Sequence, residues 1–158
     1  MKRKTILTLL LAFMLVFIWG NSLLSREVSG NISDTIMEWM NTAAERLGLG
    51  ENFFTFMADE DGDGELEETS HLIRKAAHIT EFAAFAALLY LRLELPGKKG
   101  FLTCLLLSAA TGGIDETLQI LSHRGSQLKD VGIDALGALL GLLITILILH
   151  RIRRKKTV

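Results

Sequence analysis

Val131-Gly-Ile-Asp-Ala-Leu-Gly-Ala-Leu-Leu-Gly-Leu-Leu-Ile-Thr-Ile-Leu-Ile-Leu149 is an apolar run whose only ionisable residue is Asp134. About 20 such residues in a helix cross a hydrocarbon layer of about 30 Å. Immediately upstream, Gly113-Ile-Asp-Glu-Thr-Leu-Gln-Ile-Leu-Ser-His-Arg-Gly-Ser-Gln-Leu-Lys-Asp130 sets an acidic pair, a Gln and an Arg between this run and another apolar one. A carboxylate at the bilayer centre costs about 2.5–3.5 kcal/mol on insertion scales. Charges in such places face a bundle interior or a watery cavity and tend to carry function. The hydropathy therefore places the protein, and the acidic cluster indicates where it acts.

Working outward, four apolar blocks stand out: about 5–20, 73–95, 101–121 and 131–149. Averaged properties hide them, because the 158 residues carry a formal net charge of only −1. Leu95-Pro96-Gly97-Lys98 holds the only proline and reads as a tight turn between the second and third blocks. Cys104, the single cysteine, lies inside a block, so no disulfide framework is available. The expected fold is all-α: one domain over residues 1–158, a bundle of four transmembrane helices.

Orientation follows from the basic residues. Lys2, Arg3 and Lys4 precede the first block, Arg92, Lys98 and Lys99 flank the turn, and Arg151, Arg153, Arg154, Lys155 and Lys156 follow the last block. Four crossings put all three clusters on one side, which the positive-inside rule makes the cytoplasm. Both termini are then cytoplasmic, and segments 21–72 and 122–129 are extracytoplasmic. A rival reading takes the first block as a cleaved signal peptide. The residues Trp19-Gly-Asn-Ser-Leu-Leu-Ser25 offer no clear small-x-small site, and losing the block would leave one basic cluster on the wrong side.

Within segment 21–72, Ser33 reads as an N-cap, with Ile36, Trp39, Met40, Ala43 and Leu47 at helical spacing and Gly48 as the stop. Such an amphipathic helix lies on the outer leaflet or packs on protein. Asn52-Phe-Phe-Thr-Phe-Met57 can dip into the same interface. Asp59, Asp61, Asp63, Gly64 and Leu66 match the first half of a calcium loop, but Ser70 stands where the bidentate Glu belongs. An acidic, solvated tether over Asp59–Glu68 is the expectation.

Arg74, His78 and Glu81 are spaced i, i+4, i+7 and share a helical face near the outer end of the second block. Ser108, Thr111, Asp115 and Gln119 form a stripe on the third, beside Glu116, and Asp130 and Asp134 open the fourth on one face, continued by Gly137 and Gly141. The glycines favour close helix approach. Three helices thus bring ionisable groups to one depth. His78, Glu81, Asp115 and Glu116 are the candidate acid–base residues; Arg74, Gln119, Arg124, Asp130 and Asp134 are the candidate ligand-binding residues. Alternatives remain open at this point. An acid of the 115–116 pair can neutralise Arg74 or Arg124 and merely hold the bundle together. Asp130 can serve as a helix-terminal cap, and His78-x-x-Glu81 can be half of a metal site. Since no second such motif exists, no metal and no cofactor are expected.

These residues carry a resemblance. Arg74-Lys-Ala-Ala-His78-Ile-Thr-Glu81-Phe82, followed by Asp115-Glu116-Thr-Leu-Gln119, Arg124, Asp130 and Gly137-Ala-Leu-Leu-Gly141, resembles the VanZ-like family of bacterial membrane proteins. Family members often have Asn at the place of Asp134, and an aromatic residue or His at that of Leu118. The resemblance implies a protein of the bacterial cytoplasmic membrane. The family's name-giving member is associated with lowered susceptibility to teicoplanin, a lipid-tailed glycopeptide.

Two functions are then expected in order: binding of an amphiphilic, lipid-linked or cell-wall ligand at the outer face, or intramembrane acid–base catalysis on a lipid-linked phosphate or peptidoglycan precursor. Arg74 and Arg124 would fork onto an anionic head group. The charges occupy one depth and do not line a path across, which argues against transport. Membrane lipids are the expected surroundings, and no nucleic acid is an expected partner.

Overall fold

The computed structural model describes residues 2–54, 66–122 and 128–155. Five helices run through them: α1 (Lys2–Ser22), α2 (Arg26–Arg46), α3 (Leu66–Leu93), α4 (Gly97–Leu121) and α5 (Leu128–Lys155). No strand occurs among the described residues. Four stretches are long and apolar enough to cross a membrane: Lys2–Ser22, Ile73–Leu93, Gly97–Leu121 and Asp130–Lys155. The helices overrun the apolar blocks at most ends, because backbone hydrogen bonding continues into flanking polar residues where hydropathy has already fallen.

The chain divides into two compact units, residues 1–23 with 78–158, and residues 24–77. The first is an inside-out bundle. Ile18, Phe82, Phe85, Ala86, Leu89, Cys104, Ala138 and Leu142 form its core, one or more from each of α1, α3, α4 and α5. Its outer surface keeps large apolar side chains such as Phe13, Val16, Leu106 and Leu147 exposed. In water such a surface would be an aggregation hazard; in lipid it is the expected exterior.

Gly137 and Gly141, one turn apart on α5, face Ile79 and Ala83, one turn apart on α3. A Cβ on Gly137 would stand 2.6 Å from the Ile79 carbonyl oxygen, and one on Gly141 2.6 Å from the Ala83 Cα. Backbone meets backbone here, as small-xxx-small seams allow. The pairing 79 with 137 and 83 with 141 also makes α3 and α5 parallel. At the other end of the bundle, Lys4 Nζ lies 2.8 Å from Glu94 Oε2 and Arg92 Nε donates to Thr8 Oγ1 at 2.7 Å. The start of α1 therefore meets the end of α3, among the basic residues that the hydropathy reading puts on one side.

Glu94 follows α3 with a φ of 53°, a left-handed conformation that ends the helix before Pro96. The ammonium of Lys4, through its hydrogen bond and its charge, holds the Glu94 carboxyl below the ordinary carboxylate range. A lowered pKa means the contact is complete above the ordinary carboxylate value and is lost as pH falls through the lowered one. Hydrogen exchange in the first turn of α1 should accelerate across that acid window, and Glu94→Gln should show the faster exchange at every pH. Identical profiles for the two proteins would mean the pair does not tether α1.

In the second unit, α2 begins earlier than its apolar pattern predicts. Ser25, not Ser33, is the N-cap, its Oγ accepting from the Val28 amide. Ser33 is buried inside the helix and donates to the Ser29 carbonyl at 3.0 Å. The helical stripe starts with Val28 and Ile32, two turns before Ile36, so reading its onset at Ile36 marked the wrong boundary. Gly48 does end the run: with a φ of 76° it lets the Leu49 amide reach the Ala44 carbonyl and its own amide reach Glu45. Val28, Ile32, Ile36, Trp39 and Leu47 remain exposed in one stripe, while Met40 is half-buried. Phe53 and Phe54 meet edge to face, and Asn41 Oδ1 accepts from the Phe54 amide. The calcium-like residues Asp59, Asp61, Asp63 and Gly64 lie outside the described residues. Leu66–Ser70 belong to α3 and are therefore not part of an irregular tether.

Candidate functional site

The first unit brings the polar ends of four helices together. The stripe on α4 is buried as its spacing predicts: Ser108, Thr111, Asp115 and Gln119 all face inward, with Glu116 buried beside them. Asp115 is the hub. Its Oδ1 accepts from Ser22 Oγ of α1, and its Oδ2 accepts from Gln119 Nε2 at 2.9 Å. Ser122 Oγ, just past α4, donates to the Ser22 carbonyl at 2.9 Å and so ties the two helix ends. α1 and α4 therefore run in the same direction, opposite to α3 and α5.

Asp134 of α5 is fully buried and reaches His78 of α3, with Oδ1 3.1 Å from Nδ1. His78 Nδ1 is also 3.8 Å from Asp115 Oδ2. Ionised carboxylates on this edge favour the Nδ1–H tautomer, which places Nε2 on the opposite edge of the ring. Gly112 makes room for this contact, since a Cβ there would be 3.0 Å from Asp134 Oδ2. Glu81, although on the His78 face, turns to α1 instead: Asn21 Nδ2 donates to its Oε1 at 3.0 Å.

The structure brings His78, Asp115, Gln119 and Asp134 together, ties Glu81 to Asn21, and buries Glu116 on the same turn as Asp115. Asp130 is half-buried in the first turn of α5. That helix starts at Leu128, so Asp130 meets the positive helix end without being its cap. Arg74 lies one turn before His78, half-buried, in the other unit. Arg124 lies outside the described residues. Asn21 and Ser22 are the site residues that sequence reasoning missed. Their signal was two adjacent polar side chains at the C-terminal end of the first block, where α1 ends.

The profile of the VanZ/LLP1 family matches residues 4–149, nearly the whole chain. The chain belongs to the VanZ/LLP1 family. No curated protein and no solved structure matches it. Its four candidate spans make this VanZ-family chain a multi-pass membrane protein. The matched residues include every member of the His78–Asp115–Asp134 cluster and, on α1, Asn21 and Ser22.

Proposed function

We propose that this VanZ-family protein sits in the bacterial cytoplasmic membrane with both termini inside and binds an amphiphilic cell-envelope molecule at the outer face. The observation that carries the reading is the cluster itself. Buried carboxylates and an imidazole from three helices, braced by a fourth, meet where α1 and α4 end and α5 begins. Burying charge is costly, and a cluster this acidic is suited to recognition. Carboxylates accept hydrogen bonds from hydroxyl, amide or ammonium groups, which matches the sugar or peptide part of a lipid-linked cell-wall precursor. The exposed stripe of α2 suits an outer leaflet, with Trp39 at the lipid–water boundary. Altered susceptibility to lipid-tailed glycopeptides is one consequence to measure.

A second reading, intramembrane acid–base catalysis, is favoured by one feature. The His78 Nδ1–Asp134 contact fixes the ring and leaves Nε2 as the proton-transfer atom.

Reporter fusions at Lys98 and Val158 should report cytoplasm, and those at Gly50 and Gly125 the exterior. Protein purified in mild detergent should carry one class of lipid-linked envelope molecule enriched over bulk phospholipid. That enrichment should vanish in Glu81→Gln at unchanged thermal stability, and in the folded fraction of His78→Ala. An external C terminus, or the same lipid profile in all three proteins, would defeat the binding reading. Conversion of the enriched molecule by the wild type and not by His78→Ala would establish the catalytic one.

A further inference from the structure

His78, Asp115 and Asp134 come from three helices, yet one ligand atom from each lies within 4.8 Å of the others. The His78 Nδ1 distances are 3.1 Å to Asp134 Oδ1 and 3.8 Å to Asp115 Oδ2. A cation holding nitrogen and oxygen at about 2.1 Å sets its ligands about 3.4 Å apart in a tetrahedron. The two His78 separations bracket that value. Two fully buried carboxylates side by side also need compensating charge. One imidazolium offsets one of them, whereas a divalent cation offsets both.

A second observation is independent of this geometry. Asp134 Oδ2 has no hydrogen-bond partner among the described residues, although the side chain is fully buried. A buried carboxylate oxygen in that state calls for a ligand. Asp115, by contrast, is held from behind. Ser22 and Gln119 each occupy one lone pair of its carboxylate and leave the others free to coordinate, the arrangement by which outer groups aim a metal-binding carboxylate.

We infer that His78, Asp115 and Asp134 form a site for one divalent transition-metal ion of the zinc or manganese type. The ion is bound through His78 Nδ1 and the two carboxylates. On binding, Nδ1 gives its lone pair to the ion and the single ring proton of the neutral imidazole is carried on Nε2 instead. The imidazole selects against magnesium and calcium, which prefer oxygen alone. Three protein ligands leave a coordination position open for water or a polar substituent of a bound molecule. The site stands or falls separately from the envelope-ligand reading.

The test uses full-length protein in detergent, stripped with a chelator and titrated with Zn²⁺ or Mn²⁺ alone by calorimetry and thermal unfolding. One equivalent of Zn²⁺ or Mn²⁺ should bind and raise the unfolding temperature. Affinity should fall at least about tenfold in Asp134→Asn and His78→Gln. Glu94→Gln at the other end of the bundle should bind as the wild type does. The triple change Asp59→Asn, Asp61→Asn, Asp63→Asn should as well, which separates this site from the acidic segment. Absence of saturable binding to folded wild type overturns the inference, whatever the variants do. So does binding undiminished in a folded Asp134→Asn protein, binding lost in the triple variant, or equal affinity for Mg²⁺.

Discussion

Gly141→Leu should remove most of the protein from the membrane fraction, and Gly141→Ala should lower its unfolding temperature in detergent by several degrees. The Cβ of alanine would stand 2.6 Å from the Ala83 Cα, and the obstruction is backbone. No side chain can rotate away, so α3 and α5 must separate along the seam. Overpacking of this kind costs about 1–3 kcal/mol for added methylenes, and more when helices are displaced. Gly137→Ala should behave similarly, since its Cβ meets the Ile79 backbone at 2.6 Å. The double change should cost less than the sum, because one displacement relieves both contacts. Gly132→Ala provides the contrast: nothing lies within 4 Å of the added atom. There the substitution should stabilise α5 by about 0.5–1 kcal/mol through helix propensity. Equal effects at Gly132 and Gly141 would show that the seam does not limit stability.

Asp115→Ala is expected to have the next largest effect. It leaves the Gln119 amide without this acceptor, the Ser22 hydroxyl with only the Ile18 carbonyl, and His78 with Asp134 alone. Removing one partner of a buried charged network costs on the order of 3–5 kcal/mol, enough to reduce abundance in cells and thermal stability in detergent. Asp115→Asn has a different expected outcome. Its carbonyl still accepts from Ser22, and rotation of the Gln119 amide presents an oxygen to the new NH₂ group. Most of the stability should return. Function should not, because the carboxylate is gone. The pair Asp115→Asn, Gln119→Glu keeps the charge and the hydrogen bond while moving the carboxylate one turn along α4. It should be stable and inactive in whatever assay the wild type supports. If activity instead follows abundance across the three proteins, Asp115 acts only by holding the bundle together.

These expectations draw on two kinds of information. The four spans were legible in the sequence because insertion into lipid is a local property, summed over each block of about 20 residues. The stripe Ser108, Thr111, Asp115 and Gln119 was legible too, since helix geometry alone puts i, i+3 or i+4, and i+7 on one face. So was the Gly137–Gly141 seam, because only backbone contact explains two glycines one turn apart in an otherwise bulky run. The boundary of α2 was not, because Val28 and Ile32 stand among polar residues and the denser apolar run from Ile36 hides the earlier onset.

The partners within the cluster were decided by tertiary structure alone. Periodicity puts His78 and Glu81 on one face and invites the view that they act together. In the folded chain they part, Glu81 to Asn21 of α1 and His78 to Asp134 of α5. Which carboxylate each group meets depends on how far each helix is rotated and shifted along its neighbours, and close packing across the glycine seam and around Phe82 sets those positions. Ser22 joins Asp115 for the same reason: α1 and α4 end at one depth. A short sequence records which side chains a helix presents. Only packing among four helices, each fitted to the others, determines what those side chains meet.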